Sequence, residues 1–289
     1  MTSQSLVARA RSGCGEALEQ IVIEIQGDIY RLSLRMLWHP EDAEDATQEI
    51  LIRVIKNLGT FRFESEFSTW VYRIASNLLL TTRKRRMEQR SISFEQFSDD
   101  LVDGLSDAAL TEYSEAEQLL LVEEVKVGCT QAMLLCLDRD HRMAYILGEI
   151  MELGGDEAAC ILGIKPDAFR KRLSRSRERI RTFLQGNCGL VNPDSPCRCH
   201  RRVRRAVQVG RVNPRRLLFA GHATIASAER LREEAERLDG LRHSIAIHRS
   251  NPEYAAPQTI LNFARSLLDS MIVGSLDLDR IDDGDRDRS

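Results

Sequence analysis

The segment Asp156–Leu173 constrains the fold more than any other stretch, because it prescribes two short helices joined by a sharp turn. Ala159 is small enough for a second helix to cross close by, and Gly163, four residues later, suits a tight turn. Pro166 fits the first turn of the next helix, where its missing N–H costs nothing. The spacing predicts a helix-turn-helix whose second helix spans Pro166–Leu184.

Charge is distributed very unevenly along the chain. Residues 165–181 hold eight Lys or Arg and two acids, whereas residues 91–118 hold eight acids and no Lys or Arg. The overall net charge of −3 conceals this contrast. The basic block predicts a polyanionic partner, and the acidic block predicts a solvated linker.

The outward face of the basic helix is suited to a DNA major groove, where arginine reads guanine edges and other cations reach phosphates. Phe169, Leu173 and Ile180 would hold the opposite face on a bundle. The alternative is a solvated basic helix, but the turn spacing combined with the charge favours DNA binding. The predicted DNA-contacting residues on this helix are Lys165, Asp167, Arg170, Lys171, Ser174, Arg175 and Arg177.

Helical periodicity dominates the sequence and strand signals are weak, so we predict an all-α fold. Glu16–Leu37 and a segment from Pro40 to Gly59 form the first two predicted helices, and Ser68 is the predicted N-cap of the third. The predicted regions are an N-terminal helical bundle (1–87), an acidic linker (88–118), a helix-turn-helix bundle (119–185) and a mostly helical extension (186–289).

No apolar run reaches the roughly 20 residues that span a bilayer, and the first residues lack the apolar core of a signal peptide. We therefore expect a cytoplasmic protein without a membrane span. Its seven cysteines should then be mostly reduced.

Three further stretches resemble a known family. Asp42–Glu49 (DAEDATQE) and Phe61–Asn77 (FRFESEFSTWVYRIASN) resemble the second conserved region of bacterial RNA polymerase sigma factors, and Leu137–Glu149 resembles the start of their fourth region. The order of segments is similar to the extracytoplasmic-function (ECF) group of the sigma-70 family, which keeps only these two regions. The resemblance covers about Gly13–Leu184, and the chain continues for about a hundred residues beyond it.

The resemblance implies a non-catalytic subunit that directs core RNA polymerase to specific promoters and helps melt the DNA. The acidic helix would dock on the clamp of the largest polymerase subunit, and the polymerase flap would be a second contact. Carboxylates and amides in a row can pair with basic residues of a partner helix, although such acids also complement a helix N-terminus, and both can hold. The implied polymerase-binding residues are Asp42, Asp45, Gln48 and Glu49.

In this family a loop and the following helix open and read the −10 element, and the helix-turn-helix contacts the −35 element as duplex. A base leaves the stack and is held among aromatic and polar groups. For any single aromatic residue, a place in the core is the favoured alternative. The matching residues are Phe63, Ser65, Ser68, Thr69, Trp70, Tyr72, Arg73 and Asn77, followed by Arg83, Lys84, Arg85 and Arg86 for phosphates. One departure is Phe169, where many relatives have a smaller β-branched residue, which suggests altered packing.

Three thiols and an imidazole lie within thirteen positions of the extension and form a candidate Zn²⁺ ligand set: Cys188, Cys197, Cys199 and His200. The adjacent Cys199 and His200 cannot easily bind one ion, so His222 is an alternative ligand. Redox sensing, favoured by neighbouring arginines, and a basic DNA-contacting loop are the other interpretations. The remaining cysteines fall in helical patterns and are expected in the core: Cys14, Cys129, Cys136 and Cys160.

Amphipathic helices are predicted after His222. They could pack on the sigma core, bind an anti-sigma factor or other regulator, or cover the DNA-binding surface. The alternative function for the chain is a stand-alone helix-turn-helix regulator, which explains residues 156–184 but not the pattern of residues 42–77. An enzyme acting on nucleic acid is a further alternative, but no constellation of paired carboxylates or of Cys and His nucleophiles stands out.

Overall fold

The computed structural model describes residues 3–81, 92–220, 240–249, 251 and 254–267. Within these ranges the secondary structure is helical and no strand forms, apart from one isolated bridge between Cys188 and Cys197. The prediction of an all-α fold is therefore confirmed. No helix of the described part is long and apolar enough to cross a membrane.

The chain divides into two compact units. The first unit holds helices α1 to α4 and the helical residues 258–267, and the second unit holds the remaining helices together with the end of α2. Unit 1 comprises Met1–Leu34, His39–Arg83 and Ala255–Ser289; unit 2 comprises Arg35–Trp38 and Lys84–Tyr254.

Unit 1 is a small helical bundle whose apolar stripes follow the predicted spacing. Pro40 occupies the first turn of α3, as expected, because the helix N-terminus needs no N–H there. The stripe that the sequence places on this helix is buried throughout, with Ala43, Ala46, Ile50, Val54 and Leu58 all in the core. The helices of this unit are α1 (Gln4–Arg11), α2 (Gly15–Leu37), α3 (Pro40–Asn57) and α4 (Phe67–Thr81).

Unit 2 is built around a helix-turn-helix. Its helices are α5 (Phe94–Asp103), α6 (Glu115–Leu135), α7 (Arg139–Tyr145), a π-helical turn (Ile146–Ile150), α8 (Gly155–Leu162), α9 (Pro166–Asn187), α10 (Cys199–Gln208) and α11 (Gly240–Arg249). The sequence predicts one helix over residues 139–153, whereas in the structure α7 gives way to the π-helical turn.

A glycine in the π-helical turn leaves room for Phe169, the residue where many relatives have a smaller side chain. A Cβ added to Gly148, within that turn, would lie 2.7 Å from Leu173 Cδ2 and 3.3 Å from the Phe169 ring. The missing side chain therefore leaves the space in which α9 packs, and Phe169 is only 1% exposed there. A large aromatic residue on α9 is compatible with a glycine on the facing turn.

The acidic block differs from the predicted solvated linker, because part of it folds as α5 and packs on α9. Ser93 and Gln96 form a capping box that starts the helix. Phe97 stacks on Phe183 with ring centroids 5.1 Å apart, and Leu101, one turn later, is also buried. Glu95, Asp99 and Asp103 are exposed on this helix, and these acids lower its mean hydropathy although one face is buried.

The acidic block also neutralises the arginines at the start of the extension. The ion pairs are Arg201–Asp107 (2.7 Å), Arg202–Asp100 (3.0 Å), Arg204–Glu112 (3.3 Å), Arg205–Asp103 (3.5 Å) and Arg211–Asp100 (2.5 Å). These arginines have carboxylate partners within the protein, which counts against the interpretation of this region as a basic DNA-contacting loop.

Asp100 should make this pairing sensitive to acid. The side-chain hydrogen bond from Arg211 is the largest cause that holds the pKa of Asp100 below its ordinary value, and Arg202 adds to it. A carboxyl group with a lowered folded-state pKa contributes stability above its unfolded pKa of about 4, and this stability is lost as pH falls through the folded-state pKa.

We therefore expect Asp100→Asn to lower the free energy of unfolding by about 1–2 kcal/mol at pH 7, and by less at pH 3. Chemical denaturation at the two pH values measures this, with Asp99→Asn, an exposed neighbour, as the matched control. An equal loss at both pH values would contradict the assignment.

Candidate polymerase and nucleic-acid interfaces

The predicted turn of the helix-turn-helix is present between α8 and α9. Gly163 adopts the left-handed conformation (φ 63°, ψ 31°), which favours glycine. The Ile164 amide donates to the Ala159 carbonyl at 3.1 Å and closes the turn. Phe169 and Leu173 lie on the buried face of α9, so the helix presents its opposite face to solvent.

The outward face of α9 contains most of the predicted DNA-contacting residues. Arg170 is held by Asp167 at 2.6 Å and lies 3.8 Å from Asp156, so its charge is partly neutralised. Over the ranges that the structure describes, no ion pair or side-chain hydrogen bond engages Lys171 or Arg175. The exposed members of the predicted set are Lys165, Asp167, Arg170, Lys171, Ser174 and Arg175.

Arg177, a predicted DNA contact, is 41% exposed and also has a partner within the protein. Its Nε donates to the Glu149 carboxylate at 2.5 Å, and the Glu149 side chain is only 3% exposed. The Glu149 carbonyl in turn accepts from Arg249 Nε at 2.7 Å, on α11. Arg177 therefore fastens α9 to the π-helical turn, because an unpaired buried carboxylate would be costly.

Two charged residues that the sequence analysis did not single out organise unit 2. Arg142 is buried, and its guanidinium donates to the carbonyls of Leu134 (2.9 Å) and Leu137 (3.0 Å) at the end of α6. Glu124 is also buried, and its carboxylate accepts from the backbone amides of residues 218–220 at 2.7–3.0 Å. Arg142 also donates to the Met36 carbonyl at 2.5 Å, more than a hundred positions away, so both residues satisfy groups far along the chain, which local patterns do not reveal.

Three of the four predicted polymerase-binding residues lie at the surface of α3. Asp45 is exposed, and Gln48 and Glu49 are half-exposed, with Glu49 paired to Arg53 at 2.7 Å. Asp42 differs, since it is only 4% exposed in the first turn of the helix. That position suits a carboxylate that complements the helix N-terminus, not one that reaches a partner protein.

The loop before α4 contains a cluster of aromatic rings. Phe61 contacts Phe63, Phe67 and Trp70 with ring centroids 4.9, 5.4 and 5.3 Å apart. Phe63 has a positive φ of 58°, which is uncommon for a non-glycine residue, and the Arg11 guanidinium lies 5.2 Å from its ring. The cluster fixes the loop and leaves Phe63 half-exposed.

The predicted −10-reading residues separate into two groups on α4 and the loop. Thr69 and Tyr72 are buried, so they support the fold and do not offer a free surface. The surface group consists of the exposed Ser65, Ser68, Arg73 and Asn77 with the half-exposed Phe63 and Trp70. Arg83, Lys84, Arg85 and Arg86 lie outside the described residues.

The isolated backbone bridge brings Cys188 and Cys197 together, and Cys199 begins α10, where it packs against an apolar cluster. Cys129, which was expected in the core, lies on α6 and is half-buried. His200 is exposed and lines a separate surface hollow with residues 106–111, while His222 lies outside the described residues.

Burial raises the pKa of Cys199 to about 12 and also raises the pKa values of Cys129, Cys188 and Cys197, despite nearby arginines. Raised thiol pKa values count against redox sensing, which needs thiolates. As the described side chains stand, no three Cys, His or carboxylate residues are arranged to hold a metal ion.

Comparison with known proteins identifies the family. Sigma-70 region 2 matches residues 7–89. The chain is 31% identical over 185 residues to the RNA polymerase sigma-H factor of Pseudomonas aeruginosa, with 63% of this chain and 93% of the relative covered. It is 32% identical over 191 residues to the ECF RNA polymerase sigma-E factor of Escherichia coli K12, with 64% and 95% covered.

Two solved structures show partial likeness. A structure of CnrH in complex with the cytosolic domain of CnrY has a TM-score of 0.46 at 20% identity and covers 64% of this chain and 98% of that one. The sigma factor RpoE from Bartonella quintana, solved with the anti-sigma factor NepR, has a TM-score of 0.39 at 19% identity and covers 57% and 95%. Family membership rests on the relatives above, which the chain covers almost completely: the protein belongs to the ECF group of the sigma-70 family of RNA polymerase sigma factors.

Proposed function

We propose that this sigma factor binds a promoter through two separate surfaces, one on α9 and one on α4, while α3 holds core RNA polymerase. The observation that carries the proposal is the outward face of α9, where Lys171 and Arg175 are exposed on a helix anchored by a helix-turn-helix. In this role the protein is a non-catalytic subunit that acts in the cytoplasm.

The α9 surface suits the −35 element as duplex DNA. Lys171, Ser174 and Arg175 lie at spacings of three and four residues, so they share one face of the helix. An arginine can make a bidentate contact to guanine in the major groove, and a lysine can reach guanine or phosphate. Lys165 and Arg170 flank this face as phosphate contacts, and Arg177 positions the helix.

The α4 surface suits the −10 element as a separated strand. Trp70, Arg73 and Asn77 are spaced so that they lie along one side of α4. An aromatic face can stack on an extruded base, while a guanidinium and an amide can bind phosphate and base edges. Phe63 stands in a strained loop conformation beside them, a feature that is common at functional sites.

The α3 surface suits the clamp of the largest polymerase subunit. Asp45, Gln48 and Glu49 supply acceptors and one amide donor on a rigid helix. We assign Asp42 to the helix N-terminus and remove it from the docking set. The polymerase flap and an anti-sigma factor are the further partners that we propose from the family.

The described part of the extension supports the helix-turn-helix bundle in this proposal and, as far as those residues go, leaves the DNA-binding face of α9 exposed. Phe219 stacks on Trp38 at 4.4 Å, and Asn251 hydrogen-bonds with Thr130 of α6. Its helix α11 packs on α9 and the π-helical turn. We retain residues 1–87 and 119–185 as the two sigma regions and 186–289 as the extension. For residues 88–118 we propose that a part of the segment packs against the extension.

Removing both polar side chains from the α4 surface should impair promoter opening more than polymerase binding. For Arg73→Ala combined with Asn77→Ala we expect at least roughly tenfold less open promoter, because a hydrogen bond that involves a charged group contributes about 1.5–3 kcal/mol. Permanganate reactivity of unpaired thymines, measured with the reconstituted holoenzyme, reports the opening. Lys56→Ala removes an exposed cation from α3 and is the control. Equal opening by the double variant and the control would contradict the assignment.

A further inference from the structure

Two consecutive residues at the end of α11, His248 and Arg249, join the extension to the helix-turn-helix. The Tyr145 hydroxyl lies 3.4 Å from His248 Nδ1, and the two rings meet edge to face with centroids 5.2 Å apart. Arg249 Nε donates to the Glu149 carbonyl at 2.7 Å, and a second guanidinium nitrogen lies 2.6 Å from the Glu152 carboxylate. Tyr145 directly precedes the π-helical turn and Glu152 lies just beyond it, so α11 holds the turn at both ends.

The π-helical turn has two features that require contacts from outside it. The last carbonyls of a helix have no partner within that helix, and the Glu149 carbonyl is one of them. Glu152 has a positive φ of 56°, a conformation that a non-glycine residue keeps only where the surrounding structure holds it. Arg249 contacts both residues at once, because a guanidinium presents several N–H groups in a planar fork. The extension therefore stabilises the conformation of this turn.

The opposite side of the π-helical turn is the surface on which α9 rests. Gly148 lies so close to Leu173 of α9 that an added Cβ would come within 2.7 Å of it. The buried Glu149 carboxylate pairs with Arg177 of the same helix. Closely packed contacts transmit displacements, so a shift of the turn would move α9 with it.

We propose that Arg249 is a positioning residue for promoter recognition: it fixes the π-helical turn and thereby the orientation in which α9 meets the −35 element. The proposal rests on the DNA-binding role proposed for α9 and adds the extension to it. Arg249 acts through Glu149 and Arg177, without contacting DNA itself. Its removal should weaken the contacts that α9 makes and spare those of α4, which belongs to the other unit.

Two DNA probes distinguish positioning from a general loss of stability. Both derive from one promoter fragment recovered by run-off selection. The long probe holds the −35 duplex and an unpaired −10 region, and the short probe lacks the −35 duplex. For holoenzyme with full-length Arg249→Ala protein, we expect roughly fivefold lower affinity for the long probe and a change of less than about twofold for the short probe, because coupling through packed contacts is of this size. Fluorescence anisotropy measures both affinities.

Arg205→Ala is the matched control. Arg205 is an arginine of the extension with the same side-chain exposure as Arg249 (40% and 39%), but its carboxylate partner, Asp103, lies on α5. This variant should bind both probes as the wild-type protein does.

The remaining outcomes decide against the proposal. Equal losses on both probes, or no loss on either, in Arg249→Ala would overturn it. Equal affinity of the wild-type holoenzyme for the two probes would overturn the role of α9 as well, whereas a wild-type preference for the long probe that persists in Arg249→Ala overturns only the positioning role. If Arg249→Ala does not fold, Glu152→Gln removes the ion pair from an exposed side chain, and unchanged affinity of that variant for the long probe would likewise overturn the proposal.

Discussion

Reversing the charge at Lys171 and Arg175 should reduce transcription from a cognate promoter by on the order of 100-fold or more. Each contact of this kind to a base or phosphate is worth about 1–3 kcal/mol, and glutamate adds repulsion from the DNA backbone. Both side chains are exposed, so the Lys171→Glu and Arg175→Glu double variant should fold normally. Multi-round transcription with the reconstituted holoenzyme measures the loss.

The matched control lies on the same helix. Arg179→Glu reverses an exposed arginine one turn beyond Arg175, where the native side chain lies 3.9 Å from Asp138. We expect a much smaller effect there, because Arg179 falls outside the proposed reading face. Binding to core polymerase should be unchanged in both proteins. If Arg179→Glu were as harmful as the double variant, generic charge and not the reading face would account for the result.

Reversing the charge at Asp45 should weaken the affinity for core polymerase by roughly 30-fold or more, because truncating or reversing one partner of an interfacial charge pair costs about 2 kcal/mol or more. Fluorescence titration of labelled sigma factor with core polymerase measures the change. Glu24→Lys, an exposed carboxylate on the neighbouring helix α2, is the control. Equal affinity of Asp45→Lys and the wild-type protein would exclude this residue from the docking surface.

Asp42 provides a contrast within the same helix. Because its carboxylate is buried near the N-terminus of α3, Asp42→Ala should lower the thermal stability of the protein. The affinity of the folded fraction for polymerase should change little. A variant with normal stability and lost affinity would return Asp42 to the docking set.

Local signals predicted the helix-turn-helix accurately. Gly163, Pro166 and the apolar spacing of Phe169 and Leu173 act within one or two turns, so their meaning does not depend on distant residues. The same holds for Pro40 and the buried stripe of α3. These features specify where helices begin, turn and bury a face, and the structure agrees with them.

Non-local pairing explains what the sequence analysis did not predict. The helix α5 lies in an acidic block, and its packing on Phe183 depends on a residue almost ninety positions away. Arg177 belongs to the basic block that predicts DNA binding, but it pairs with Glu149, whose side chain is buried on another element.

This chain should initiate transcription only together with core RNA polymerase. Run-off transcription on a pool of promoter fragments tests it most directly, with the full-length protein, sigma-free core enzyme and a known sigma factor as the positive control. We predict transcripts of defined length that require both the chain and the core enzyme, and that disappear with the Lys171→Glu and Arg175→Glu double variant. Absence of specific transcripts while the control sigma factor supports them would contradict the account.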